Sequence, residues 1–103
     1  MSLRGKQKRF LRSKAHHLQP IFQIGKGGIN SAMMVQIEEA LEKRELIKVS
    51  LLQNTDEIPQ EVAEVLEETV ACEVVQIIGR VLVLYKPSSK EKYQRLSKEV
   101  KAI

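Results

Sequence analysis

The chain has 103 residues, enough for one domain with a modest core and too few for a catalytic cleft plus a second module. Its net charge of +4 is unevenly spread: Arg4, Lys6, Lys8, Arg9, Arg12 and Lys14 precede Pro20 with no acid among them, whereas the acids lie mostly between Glu38 and Glu73. Such a field suits the steering of a polyanion to one side of the molecule. Cys72 is the sole cysteine, which excludes an internal disulfide and a cysteine-cluster metal site. No apolar run approaches the ~20 residues that cross a bilayer, and the basic start lacks the apolar segment of a secretion signal. We therefore expect a soluble cytoplasmic monomer with no cofactor and no metal.

In chain order, residues 3–18 predict a first helix, with Leu3, Phe10, Leu11, Ala15 and Leu18 on one side and Arg4, Lys8, Arg9, Arg12 and His16 on the other. Pro20 disfavours helical geometry in the residue before it and ends the helix. A strand over 21–24 follows, then the loop Gly25-Lys26-Gly27-Gly28, then Asn30 or Ser31 as the cap of a second helix. That helix is expected to bury Met33, Ile37, Ala40 and Leu41, to expose Glu38, Glu39 and Glu42, and to place Lys43 and Arg44 in its last turn. Ile47-Lys48-Val49-Ser50-Leu51 alternates as a second strand.

Residues 53–58 read as a polar connection, and Pro59 suits the first turn of a third helix. Its expected buried side is Ile58, Val62, Val65, Leu66 and Thr69, with Glu61, Glu64, Glu67 and Glu68 outside. Two apolar runs, 74–78 and 81–85, flank Gly79-Arg80, a hairpin signal that makes the third and fourth strands antiparallel neighbours. Residues 90–103 read as a last, weakly amphipathic basic helix, so 88–103 forms a basic helical tail on a single domain of 1–103. Strands joined through helices run parallel, so the expected fold is α/β with a four-stranded mixed sheet in the order helix-strand-helix-strand-helix-strand-strand.

The loop at Gly25-Lys26-Gly27-Gly28 has the G-x-x-G spacing that clamps a nucleic-acid backbone in some RNA-binding modules, because absent side chains let phosphate approach the main chain. Free N–H groups at the start of the next helix favour an anion beside them. The bland alternative is a glycine turn that only connects two elements. A P-loop is excluded because Gly28 is followed by Ile29-Asn30, and a dinucleotide fingerprint because position 30 is Asn30.

The unrelieved cations of the first helix point to a polyanion, since a face that serves only solubility usually mixes signs. His16-His17 lacks a third metal ligand and reads as a surface pair within a basic segment. Cys72 reads as a small core residue, and the glutamates of the third helix as a solvated face. Phe10, Phe22, Tyr85 and Tyr93 are too few for a base-stacking platform, so phosphate and shape recognition is expected. No convergent acid, base or metal set argues for an enzyme.

Several segments together resemble one family: Leu11-Arg12-Ser13-Lys14-Ala15-His16, residues 20–28 with the G-x-x-G loop, Ile37-Glu38-Glu39-Ala40-Leu41, Glu45-Leu46-Ile47-Lys48-Val49, and residues 76–87. In order and spacing they are similar to the YhbY-like family, the stand-alone bacterial form of the CRM (chloroplast RNA splicing and ribosome maturation) domain. The resemblance implies a fold similar to the C-terminal domain of translation initiation factor 3. It also implies an RNA-binding protein associated with precursors of the large ribosomal subunit, a ribosome assembly factor. Carried onto this chain, the RNA-contacting residues are Arg4, Lys6, Lys8, Arg9, Arg12, Lys14 and His16 in the helix, Gly25, Lys26, Gly27 and Gly28 in the loop, and Lys86. The segment beyond Pro87 lies outside the match. The alternatives are a KH-like RNA-binding module, which places its G-x-x-G loop between two helices rather than after a strand, and an adaptor that binds an acidic protein through the same helix.

Overall fold

The computed structural model describes residues 2–103. Four strands, β1 (Pro20–Ile24), β2 (Leu46–Leu51), β3 (Glu73–Ile78) and β4 (Val81–Tyr85), form one sheet in the order β1-β2-β4-β3. Strand β1 runs parallel to β2, and β4 is antiparallel to both β2 and β3. The sheet is thus mixed, as the alternation of helices and strands requires, and the late hairpin places β4 between β2 and β3.

Period-two side-chain alternation divides the sheet into two faces. On one face Ile47, Val49 and Leu51 of β2 and Leu82 and Leu84 of β4 join Ile37 and Leu41 of α2 (Ser31–Arg44) and Val62 and Leu66 of α3 (Pro59–Thr69) in a single buried cluster. On the other face Leu46, Val75, Val83 and Tyr85 meet Leu11 and Ala15 of α1 (Gly5–Ala15) and Val100 of α4 (Leu96–Lys101). Burial lifts the Tyr85 phenol to about 12, with the Glu45 charge adding to the effect.

Several expectations are corrected. Helix α1 is shorter than 3–18: Arg4 is extended at its start, and i→i+3 bonds from His16 N–H to the Ser13 carbonyl (3.3 Å) and from Leu18 N–H to the Ala15 carbonyl (2.9 Å) tighten and stop its end. Leu18 is therefore exposed rather than packed. Helix α3 is turned toward Ala63, burying Val62, Ala63, Leu66 and Val70, whereas Ile58 (49% exposed), Val65 (41%) and Thr69 face outward. The last helix is broken: a 3-10 turn at Glu91–Tyr93 is separated from α4 by Gln94 and Arg95, whose backbone is non-helical at Gln94 (φ −80°, ψ 79°).

Glu42, expected in solvent, is half-buried under the returning tail. Its Oε1 accepts from Ser88 Oγ (2.9 Å), Ser89 Oγ (2.5 Å), Ser89 N–H (2.7 Å) and Lys90 N–H (3.1 Å). One turn on, Glu45 ends α2 in the left-handed region (φ 64°) at only 1% exposure. Its carboxylate accepts the N–H groups of Ser88 (2.8 Å), Arg95 (3.1 Å) and Ser97 (3.1 Å). Burial alone pushes the Glu45 carboxyl up, but those donors outweigh it and the net direction is down. The Ser89 and Ser88 hydroxyls hold Glu42 at about 2, against an ordinary 4.5.

Both acids ionise more readily folded than unfolded, so they stabilise the attached tail at pH above about 4.5 and lose that effect as pH falls toward about 2. NMR amide signals of Ser88, Ser89 and Lys90 are expected to shift across that window while those of Val49 and Leu82 hold; simultaneous movement of all of them contradicts the assignment. Glu45→Gly tests the same contact differently. Glycine relieves the positive φ, yet losing the buried acceptor is expected to lower unfolding stability by about 1–3 kcal/mol, measured by urea denaturation.

Candidate nucleic-acid interface

The strand ends gather three turns at one end of the sheet. Gly25-Lys26-Gly27-Gly28 is a β-turn closed by the Gly28 N–H to the Gly25 carbonyl (3.0 Å), with Gly27 at φ 98° in the third position, where only positive φ closes this turn type. Lys26 is thereby placed at the exposed tip. Gly28 (φ 68°) turns the chain into α2, where Asn30 Oδ1 accepts the Met33 N–H (2.8 Å) as the cap. Beside the loop, Arg80 of the hairpin donates to the Leu51 (3.1 Å) and Leu52 (2.8 Å) carbonyls, fastening the hairpin to the end of β2.

The structure adds an acid here that the chain read as letters did not foretell. Residues 53–58 are more than a polar connection: Asp56 and Glu57 line a hollow with Gly27 and Gly28, and a Cβ at Gly28 would overlap the Glu57 carboxylate. An anion approaching from that side meets negative charge, and the Leu52 and Asn54 side chains lie against Gly25, so the open part of the loop is its exposed tip at Lys26 and Gly27. No spacing rule marks Glu57, because its neighbour in space lies 29 residues earlier in the chain.

Helix α1 presents Lys6, Arg9, Arg12, Lys14 and His16 to solvent, but its cations are not equivalent. Lys8 is half-buried. The Arg4 guanidinium donates to the Ile103 carbonyl, and the neighbouring Gln7 amide donates to the Val100 carbonyl (3.0 Å), so the start of α1 is tied to the tail. Lys14 lies over the Phe10 ring at 5.5 Å. A register shift between Val74 and Gln76 leaves Val75 as the extra residue of a bulge in β3, and its carbonyl accepts Arg12 Nε (2.9 Å). His16 and His17 stack edge to face on each other at 5.3 Å.

Lys86 stands apart from both groups. Its Nζ donates to the Val70 carbonyl (3.0 Å) at the end of α3, a position where a cation complements the helix dipole, and its own N–H donates to the Glu45 carbonyl (2.9 Å). Cys72 is buried, and burial first, then the charge of Glu67, pushes its thiol up to about 12, an inert core residue.

With this geometry in view, the comparisons place the chain. The family described as the CRS1 / YhbY (CRM) domain matches residues 3–86. The chain belongs to that family. A Bacillus subtilis relative named "Probable RNA-binding protein YqeI" is 62% identical over 90 residues, covering 87% of this chain and 94% of the relative. A Haemophilus influenzae relative named "RNA-binding protein" is 39% identical over 93 residues, covering 90% and 94%. The solution structure of the Staphylococcus aureus protein SAV1595 shares the fold with a TM-score of 0.74 at 53% identity, over 91% of this chain and 98% of that one.

Gly28→Ala is expected to lower stability by about 1–2 kcal/mol from left-handed backbone strain, because the Glu57 carboxylate that a Cβ would meet is the end of a flexible side chain and can swing aside. Adding Glu57→Ala should therefore recover little of that loss in a thermal melt. Full recovery would mean that backbone strain at Gly28 contributes nothing.

Proposed function

We propose that this CRM-domain chain binds RNA and acts in assembly of the large ribosomal subunit, gripping the RNA backbone with the Gly25-Lys26-Gly27-Gly28 loop and the basic face of α1. One observation carries the reading: exposed cations on α1, free of interleaved acid, share a molecule with a glycine turn that holds a lysine at its tip. The names of the relatives support RNA as the partner class. Within the site, Lys6, Arg9 and Lys26 serve as phosphate contacts, since each is exposed. Arg4 and Lys86 position other segments and are left out of the contact set. The glycines act by letting the sugar-phosphate chain come close from the Lys26 side, and Glu57 fixes which side that is.

Binding of this kind depends on counterion release, so affinity for a ribosomal RNA fragment should fall with salt at a log–log slope near −0.7 for each single-strand phosphate contacted. Lys6→Gln with Arg9→Gln should weaken binding to many RNAs alike and flatten that slope, with circular dichroism unchanged. Lys26→Asp should cost about 1–3 kcal/mol of binding, roughly ten-fold or more. A wild-type slope near zero in a filter-binding titration would falsify the proposal. Crosslinking followed by sequencing of the bound RNA tests the ribosomal assignment, and retention of an acidic protein after nuclease treatment favours the adaptor alternative instead.

A further inference from the structure

Helix α1 covers only part of its sheet face. Leu11 and Ala15 pack in the same cluster as Val83 of β4, and the cross-strand partners of Val83 are Lys48 on β2 and Gln76 on β3. The next row toward the loop end is Ser50, Val81 and Ile78, extended onto β1 by Gln23, which pairs with Ser50. Parity puts this row on the α1 face, because Phe22, Ile24, Val49 and Leu51 belong to the opposite cluster. Among the described residues no helix lies over it: Gln23 is exposed, Ser50 and Val81 are half-buried, and Ile78 is 52% exposed. The strip crosses all four strands, about 14 Å at the usual strand spacing. Along one side it opens into a groove of roughly 460 Å³, whose walls are Arg12, His16, Lys48 and Gln76 over an apolar floor. That volume lies within the ~300–1,000 Å³ of small-ligand sites.

The ionisable side chains that line the groove are all basic, and the strip ends at β1 directly before the glycine loop. A polyanion thus fits both ends. Between the basic groove and the glycine loop, however, stand two neutral amides, Gln76 in the groove wall on β3 and Gln23 at the β1 end of the strip. A phosphate is acceptor-only, whereas a glutamine amide supplies donor and acceptor together, the complement of a base edge and in particular of adenine N7 and its amino group. We propose that an unpaired segment of RNA crosses this strip from the α1 groove to the glycine loop, and that Gln76 and Gln23 read its bases with a preference for adenine. The inference rests on the RNA reading above and adds to it a second surface that acts differently. The helix and loop hold any RNA, and the strip chooses among sequences.

The test uses the intact chain and short oligo(A), oligo(U) and oligo(C) RNAs, titrated at several salt concentrations. Wild type should bind oligo(A) tightest, by roughly ten-fold over the other two, as expected for a well-formed bidentate contact. Gln23→Ala with Gln76→Ala should collapse that spread while leaving the salt slope unchanged, because no phosphate contact is removed. Side-chain amide signals of Gln23 and Gln76 in wild type should shift on oligo(A) addition, a readout that does not require the variant to fold. Equal binding of the three RNAs by wild type, a variant that keeps the oligo(A) preference, or amide signals that stay still each overturns the inference while the RNA reading stands. Failure of wild type to bind any of the three overturns both.

Discussion

A carboxylate taken out of water must be met by donors or it destabilises the fold by several kcal/mol, and Glu45 imposes that demand at the hinge of this structure. The donors it finds are backbone N–H groups of Ser88, Arg95 and Ser97, so the chain after β4 must return across the end of α2. Glu42 draws in Ser89 and Lys90 by the same means. Once the tail is held there, Leu96 and Val100 reach the cluster beneath α1. The basic helix is therefore packed both on the sheet and against a segment that lies beyond the residues 3–86 matched by the family.

Much of the architecture was legible because local rules and burial agree. The alternating run at β2, the apolar run at β4, the Gly79-Arg80 hairpin, a helix cap at Asn30 or Ser31, which proves to be Asn30, and the mixed four-stranded sheet all follow from spacing and turn chemistry. What was not legible depends on contacts between distant residues. Nothing local distinguishes Glu42, which the tail covers, from Glu38 or Glu39, which it does not. Val65 and Thr69 satisfy helical periodicity but face outward, since the side of α3 that packs is the one carrying Val62, Leu66 and the following Val70. The tail, read as one helix, is broken because its N–H groups at Arg95 and Ser97 bond the Glu45 side chain.

The site divides the same way. The glycine turn and the exposed cations of α1 could be found from letters alone, since φ preference and charge are properties of single residues. Which cations stay available could not, because Arg4 and Lys86 donate to carbonyls of Ile103 and Val70. Glu57 against Gly28 is likewise a product of the connection between β2 and α3 folding back on the loop. Each turns a symmetric-looking positive patch into one with a preferred side.

The bulge at Val75 has a bearing on self-association rather than on ligands. Strand β3 is an outer strand, and an outer strand offers unpaired carbonyls and N–H groups that another chain can extend into a continuous sheet. Here the extra residue breaks the regular repeat of such groups, and the Arg12 side chain occupies the carbonyl that the irregularity turns outward. A bulky cation seated on the rim adds electrostatic repulsion toward a second copy arriving edge-on, since that copy carries its own Arg12 at the same place. The bond that ties α1 to β3 thereby fills one of the acceptors that an outer strand otherwise leaves unpaired.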